Sequence, residues 1–177
     1  MDPPCHGSVA MKRLADGTPL VIRRIREDDK GLLARGLERM SKASAQRRFL
    51  TAKRTFSSTE LRYLTEVDGR SHVALVAESP TQPVRHLIAV GRFVRLVDDP
   101  EAAEVAIVVA DDWQRRGVGS LMTRELAARA KGLGIKRFTA TMAADNVAAH
   151  KLMRKLTRRL HEAHAGTLDD VSIDLAA

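Results

Sequence analysis

The stretch that most constrains the fold runs from residue 104 to residue 132. An apolar run, Glu104-Val105-Ala106-Ile107-Val108-Val109, leads through Asp111-Asp112-Trp113 into Gln114-Arg115-Arg116-Gly117-Val118-Gly119-Ser120. Leu121, Met122, Leu126 and Ala130 then recur at helical spacing up to Gly132. A strand, a glycine loop and a helix in that order place first-turn N–H groups without partners at the positive end of the helix dipole. Gly117 and Gly119 permit unusual dihedrals and close approach of an anion to the backbone. Arg115 and Arg116 add charge at the rim. The arrangement predicts a diphosphate cradle formed by residues 114–120.

Two familiar phosphate loops do not fit. The nucleoside-triphosphate loop needs Lys followed by Ser or Thr after its last glycine, whereas Gly119 is followed by Ser120-Leu121. The dinucleotide fingerprint needs three glycines after a first strand, and this loop has two, late in the chain. A bare pair of glycines fits a plain helix cap equally well, so the neighbouring features carry the decision.

Around this loop the pattern is mixed. Residues 1–18 read as a flexible leader, with Pro3-Pro4, Gly7-Ser8 and Asp16-Gly17 as loop chemistry, and residues 19–177 as one domain. Residues 20–25 read as a first strand. A helix starting at Asp28 or Asp29 passes through Leu32, Leu33, Leu37 and Met40. Ser41 and Ser44 begin a short helix ending near Phe49, and Ser58 or Thr59 caps another that buries Leu61, Leu64 and Val67. Residues 71–78 and 86–96 form a hairpin around Ser79-Pro80-Thr81-Gln82-Pro83. The unbroken apolar run at 105–109 predicts a strand buried on both faces. Residues 137–142 are the next strand, closing a right-handed parallel strand–helix–strand unit. A helix over 146–156 follows, and two strands turn near Ala165-Gly166, with Val171, Ile173 and Leu175 alternating. The expected class is α/β (α+β), with a mixed central sheet of six to seven strands flanked by helices.

Composition narrows the partners. The 177 residues are 44% hydrophobic and 29% charged, a globular profile for one domain. Aromatics make up only 3%, so Ala, Leu, Val and Ile must build the core. The net charge of +8 suits nucleic acid, an anionic membrane or an anionic small molecule. The basic residues are dispersed and few aromatics are available for base stacking, which disfavours nucleic acid. No apolar run approaches the roughly 20 residues that cross a bilayer. No signal peptide precedes the domain, so a cytoplasmic location is expected. Cys5 is the only cysteine, which excludes an intramolecular disulfide and a cysteine zinc site. It reads as an incidental thiol, and no metal is expected.

The loop and its surroundings resemble the GNAT superfamily of N-acetyltransferases. The signature Gln/Arg-x-x-Gly-x-Gly/Ala after a central strand stands here as Gln114 to Gly119. The resemblance continues through Ala140-Thr141 and Asp145-Asn146-Val147-Ala148-Ala149, and residues 71–156 carry most of it. A narrower resemblance links Met40-Ser41-Lys42-Ala43-Ser44, Arg48-Phe49, Leu64-Thr65-Glu66-Val67-Asp68, residues 72–77 and Ala103-Glu104-Val105-Ala106 to the acetyltransferase domains of bacterial protein lysine acetyltransferases. Those domains often adjoin a regulatory domain, for which 177 residues leave no room.

The resemblance implies an acetyl-CoA-dependent N-acetyltransferase of GNAT fold acting on a protein lysine, with acetyl-CoA as co-substrate. Acyl-CoA synthetases are the first acceptors it suggests. A lysine amine has a pKa of about 10.4, so it needs a base near neutral pH. Glu104 takes that role by resemblance, directly or through a water; burial beside Val105 and Ile107 is expected to raise its pKa. Glu101 is its rival. The backbone of Ile107, Val108 and Val109 pairs with the pantetheine arm as an added strand does, and one N–H there faces the oxyanion. Gln114, Arg115, Arg116, Gly117, Val118, Gly119 and Ser120 hold the diphosphate. Asn146 serves the pantetheine, caps the next helix, or does both.

Two places depart from the family. Seven residues after Asn146, where many members have a Tyr that protonates the leaving thiolate, stands Met153. Tyr63 lies far away in the front half, and His150 is the remaining donor on that helix. The usual Gly-Phe after the helix is replaced by Leu156-Thr157-Arg158-Arg159-Leu160. A non-catalytic acyl-CoA sensor and a small-molecule amine acetyltransferase therefore stand as alternatives. A monomer and a homodimer are both compatible.

Overall fold

The computed structural model describes residues 9–51, 53–156 and 160–175. Eight strands form one sheet: β1 (Ala10–Arg13), β2 (Pro19–Arg24), β3 (His72–Glu78), β4 (Ala89–Arg95), β5 (Ala102–Val109), β6 (Arg137–Ala143), β7 (Leu160–Ala165) and β8 (Leu168–Asp174). Their spatial order is β1-β2-β3-β4-β5-β6-β8-β7. Five helices complete the fold: α1 (Lys30–Arg39), α2 (Lys42–Phe49), α3 (Ser58–Thr65), α4 (Val118–Gly132) and α5 (Val147–Leu156).

The sheet exceeds the expected six to seven strands, and β1 accounts for part of the difference. Residues 10–13 lie inside the expected leader, yet Ala10 pairs with Ile22 and Arg13 with Pro19 in an antiparallel edge. Four residues of Ala-Met-Lys-Arg carry too little alternation to announce a strand. Residues 1–8, with Cys5, and residues 157–159 lie outside the described residues.

Two apolar layers sandwich the sheet. On one face Leu121, Met122, Leu126 and Ala130 of α4, with Met153 of α5, pack on Val73, Leu75, Phe93, Val105 and Phe138. On the other face Leu32 and Leu33 of α1, with Leu61 and Leu64 of α3, pack on Ala74 and Val76. Strand β3 is thus covered on both sides, which is why it reads as a continuous apolar run. Ser57 caps α3: its hydroxyl accepts from the Glu60 N–H while the Glu60 carboxylate accepts from the Ser57 N–H. That places the cap just before the expected Ser58 or Thr59.

Gly91 sets the distance between β4 and α4. A β-carbon there would lie 2.7 Å from Leu126 Cδ1, and Leu126 is fully buried. Gly91→Val is therefore expected to destabilise the fold by about 1–3 kcal/mol through overpacking, read as a lower urea midpoint with an unchanged slope. An unchanged midpoint would show that the two layers can part freely.

Candidate active site

Strand β5 pairs with β4 along its length but with β6 only at Ala102↔Arg137, Ala103↔Phe138 and Glu104↔Thr139. Past that last rung the parallel strands part, leaving the β6-facing edge of β5 without a strand partner. This corrects the expectation that the run at 105–109 is buried on both faces: residues 106–109 are only half-buried. Backbone groups along such an edge remain free to pair with a bound molecule.

A cleft of about 380 Å³ occupies the parting. Ile107, Val108 and Val109 form one wall, and Asn146, Ala149 and Leu152 form the opposite one. Gln114, Arg115, Gly117, Gly119 and Ser120 close one end. Gly117 has φ +89 and precedes α4 with no side-chain cap, so the helix presents bare N–H groups there. The first intrahelical bond runs from the Leu121 N–H to the Gly117 carbonyl. Arg115 also adopts a left-handed φ of 61, bending the loop around this end.

Other members of the predicted set face elsewhere. Val118 is 1% exposed and belongs to the core, so only its backbone can serve a ligand. Arg116 stacks on Trp113 at 4.3 Å and donates to Asp16 and Thr18, each at 3.1 Å. Hydrogen bonds from Thr18, with help from Arg116, hold the Asp16 carboxyl at about 2. Arg116 thus fastens the loop to the β1–β2 turn and lines an adjoining basic hollow with Arg13, Arg124 and Lys155.

Gln114 acts as a bracket. Its Nε2 donates to Asp111 Oδ1 at 2.9 Å and to the Val109 carbonyl and Ser44 Oγ at 3.2 Å. Asp111 in turn accepts from the Ser41 N–H at 2.7 Å and from the Ser44 hydroxyl. Burial alone would raise the Asp111 pKa, but these donors hold it below the ordinary carboxylate value. The bracket pins α2 against the cleft and so delivers Arg47 and Arg48, two cleft residues that sequence reasoning missed. Asn146 lines the cleft and also caps α5, its Oδ1 accepting from the Ala149 N–H at 3.2 Å.

Glu104 stands on the last rung before the strands part. Its side chain is exposed, not buried beside Val105 and Ile107 as expected. It opens onto a groove of about 440 Å³ shared with Thr139, Thr141, Glu162 and Asp170. It makes no ion pair among the described residues, whereas its rival Glu101 is tied to Lys136 at 2.7 Å. Met153, at the place of the usual Tyr, is 6% exposed and packed in the core. His150 is held by β7 and β8, with Nδ1 at 3.1 Å from Glu162 and Nε2 at 3.1 Å from Asp169. Tyr63 sits on α3 against His72, with ring centroids 4.8 Å apart.

A mixed sheet whose parallel strands part beside a helix N-terminus is the architecture of an acetyltransferase of the GNAT type. The profile of the acetyltransferase (GNAT) family matches residues 37–157, and the chain belongs to that family. Over 117 residues it is 38% identical to acetyltransferase Pat of Mycolicibacterium smegmatis, covering 66% of this chain and 34% of that relative's length. The solved GNAT domain of S. lividans PAT superposes with a TM-score of 0.84 at 27% identity, covering 98% of this chain and 100% of that one. The structure of yncA from Salmonella typhimurium with its cofactor acetyl-CoA shares the fold at a TM-score of 0.70 and 14% identity, over 89% of this chain and 94% of that one. No helix among the described residues is long and apolar enough to cross a membrane.

Proposed function

We propose that the chain transfers the acetyl group of acetyl-CoA to a protein lysine amine by direct attack, with Glu104 as general base. The observation that carries this reading is the position of Glu104. It marks the rung where β5 and β6 separate and lines the 440 Å³ groove, on the same strand that supplies Ile107, Val108 and Val109 to the 380 Å³ cleft. A thioester carried in the cleft and an amine entering by the groove meet at that carboxylate. The neighbouring Asp170 adds a second carboxylate to the groove, which suits a cationic acceptor, whereas the Glu162 carboxylate is turned to His150 and Arg154.

The geometry supports the following roles. The bare N–H groups at the start of α4, with Arg115, Lys151 and Lys155, hold the diphosphate. The free edge of β5 at Ile107, Val108 and Val109 pairs with the pantetheine amides, and one N–H of that edge donates to the oxygen that gains charge. Glu104, directly or through a water, takes the amine proton. With Met153 in the core and His150 held between carboxylates, the thiolate leaves without a protein acid and is protonated by solvent.

Burial of Met153 favours one other reading, an acyl-CoA-binding module without turnover. Incubation with acetyl-CoA and candidate proteins, acyl-CoA synthetases first, separates the two by mass spectrometry of acetyl-lysine. Acetylated lysines that appear only with the protein are the expected result. Tight acetyl-CoA binding with no acetylated amine of any kind would replace the enzyme reading with the binding one.

A further inference from the structure

Two cations on the Glu104 side of the sheet are poorly compensated: Arg92 faces no carboxylate among the described residues, and Arg48 feels only the charge of Glu104 itself. Arg92 on β4 lies directly opposite Ala106 of β5, two residues beyond Glu104. It is only 6% exposed. Its guanidinium touches neutral groups: Nη1 donates to His72 Nε2 at 3.2 Å, and Nη2 donates to the Leu64 carbonyl at 3.3 Å. His72 is uncharged near neutrality, because burial and the Arg92 charge push its pKa down to about 4. Arg48, half-buried on α2, lies over the Phe49 ring at 5.0 Å. Like Arg92, it forms no close ion pair among the described residues; burial draws its pKa down, and the nearby Glu104 charge offsets only part of that.

The contrast with Arg23 is informative. That arginine is equally buried, and it holds both Asp29 and Glu78. A buried guanidinium facing only neutral groups is costly to keep. Arg48 and Arg92 also repel one another: burial first, then the Arg48 charge, draws the Arg92 pKa down to about 10. Neither position is needed to satisfy the Leu64 carbonyl or His72, since an uncharged donor would do so.

Both side chains line one cavity of about 70 Å³ between α1, α2 and the sheet, with room for roughly five water-sized groups. Its other walls are apolar, among them Leu33, Leu37, Phe49 and Val90. Arg48 and Val108 border this cavity and the cofactor cleft alike, so the two spaces adjoin. An apolar wall ending in two cationic forks suits a short carbon chain ending in a carboxylate.

We propose that Arg48 and Arg92 form a carboxylate subsite beside the acyl-transfer centre, so that one of the two reacting partners carries a carboxylate a few bonds from its reacting atom. The proposal rests on the acyl-transfer reading above. The carboxylate comes either from the far end of a dicarboxylic acyl thioester or from a group next to the acceptor amine. In both cases the amine nitrogen forms the amide bond as the carbon–sulfur bond breaks. The nitrogen's proton goes to Glu104, and the thiolate leaves and takes a proton from solvent.

Initial rates on the full chain test this in two arms. The first compares succinyl-CoA with acetyl-CoA on one neutral lysine peptide. The second holds acetyl-CoA constant and compares lysine flanked by Glu with lysine flanked by Gln, and free lysine with its amide. One arm is expected to favour the carboxylate-bearing partner in kcat/KM by roughly tenfold or more. Arg92→Gln should erase the preference, and Arg92→Lys should retain part of it. Equal rates in both arms, or a preference that survives Arg92→Gln, overturn the subsite. Should Arg92→Gln not fold, Arg48→Gln, at a half-buried position, makes the same comparison. Transfer to no amine from any donor sinks the acyl-transfer reading instead. Calorimetry then decides the subsite: tighter binding of succinyl-CoA than acetyl-CoA, lost in Arg48→Gln, supports it, and equal affinities overturn it.

Discussion

Glu104→Gln is expected to lower kcat/KM for acetyl transfer by roughly 10²–10⁴-fold while acetyl-CoA affinity stays unchanged. The substitution keeps the size and shape of the side chain and removes only the proton acceptor. Glu104 shares its groove with Asp170, but of the two carboxylates it alone stands on the β5–β6 rung where the strands part. A lysine amine of pKa about 10.4 is nearly all protonated at neutral pH, so loss of the base acts on the chemical step. Calorimetric binding of acetyl-CoA beside steady-state turnover separates the two effects. Glu101→Gln is the matched control: Glu101 is exposed and paired with Lys136, and its loss should leave turnover intact. Full activity in Glu104→Gln would remove it from the mechanism, and a parallel fall in both variants would point to damage at the strand end.

The largest stability effect is expected at Asp29, far from the chemistry. Asp29 is 0% exposed and receives both Nη atoms of Arg23 at 2.8 Å, together with the Arg26 N–H at 2.8 Å. Glu78 and Arg85 complete the cluster, with Arg85 Nη2 at 3.0 Å from Glu78. Removing one member strands the other charges in the interior. Asp29→Ala should therefore cost about 3–5 kcal/mol, measured by urea unfolding. Glu78 remains on Arg23 and favours the lower end of that range.

The pH dependence has a definite sign. Burial would raise the Asp29 pKa, but the bonds from Arg23 and Arg26 outweigh it and hold the folded value below the ordinary one. A depressed carboxylate contributes fully above its unfolded pKa of about 3.9. The contribution drains away as pH falls below that value towards the folded pKa. The stability gap between the parent and Asp29→Asn should accordingly be constant near neutrality and narrow below about pH 4. A gap that widens in acid would contradict the assignment.

How much of this was readable in the residues depends on how far each cause reaches along the chain. The helix starting after Gly117 follows from a local pattern, and so does the absence of a proton donor at Met153. Strand β3 declares itself through an apolar run, and both its faces are covered. The similar run in β5 misleads, because its neighbour beyond Glu104 is a cleft and not a strand. No local rule distinguishes those two cases. The bracket of Gln114 and Asp111 on Ser41 and Ser44 joins residues about seventy apart in sequence, so Arg47 and Arg48 enter the site only once the chain is folded. One local signal did exist: Arg92 stands between Gly91 and Phe93 in the middle of a strand whose other charged residue is the terminal Arg95, at an inward position where an arginine needs a reason.

The parting of β5 and β6 has a consequence for the protein's endurance as well as its chemistry. An edge of unpaired amides is a sheet left unfinished, and on the reading proposed above the molecule that finishes it is the acyl donor. Any ligand that binds only the folded chain adds RT ln(1 + [L]/Kd) to its stability. Those amides of residues 105–109 that point away from β4 should then exchange slowly with solvent only while donor is bound, and heat resistance should rise with the donor's concentration. A chain built in this way lasts longest where its own substrate is plentiful.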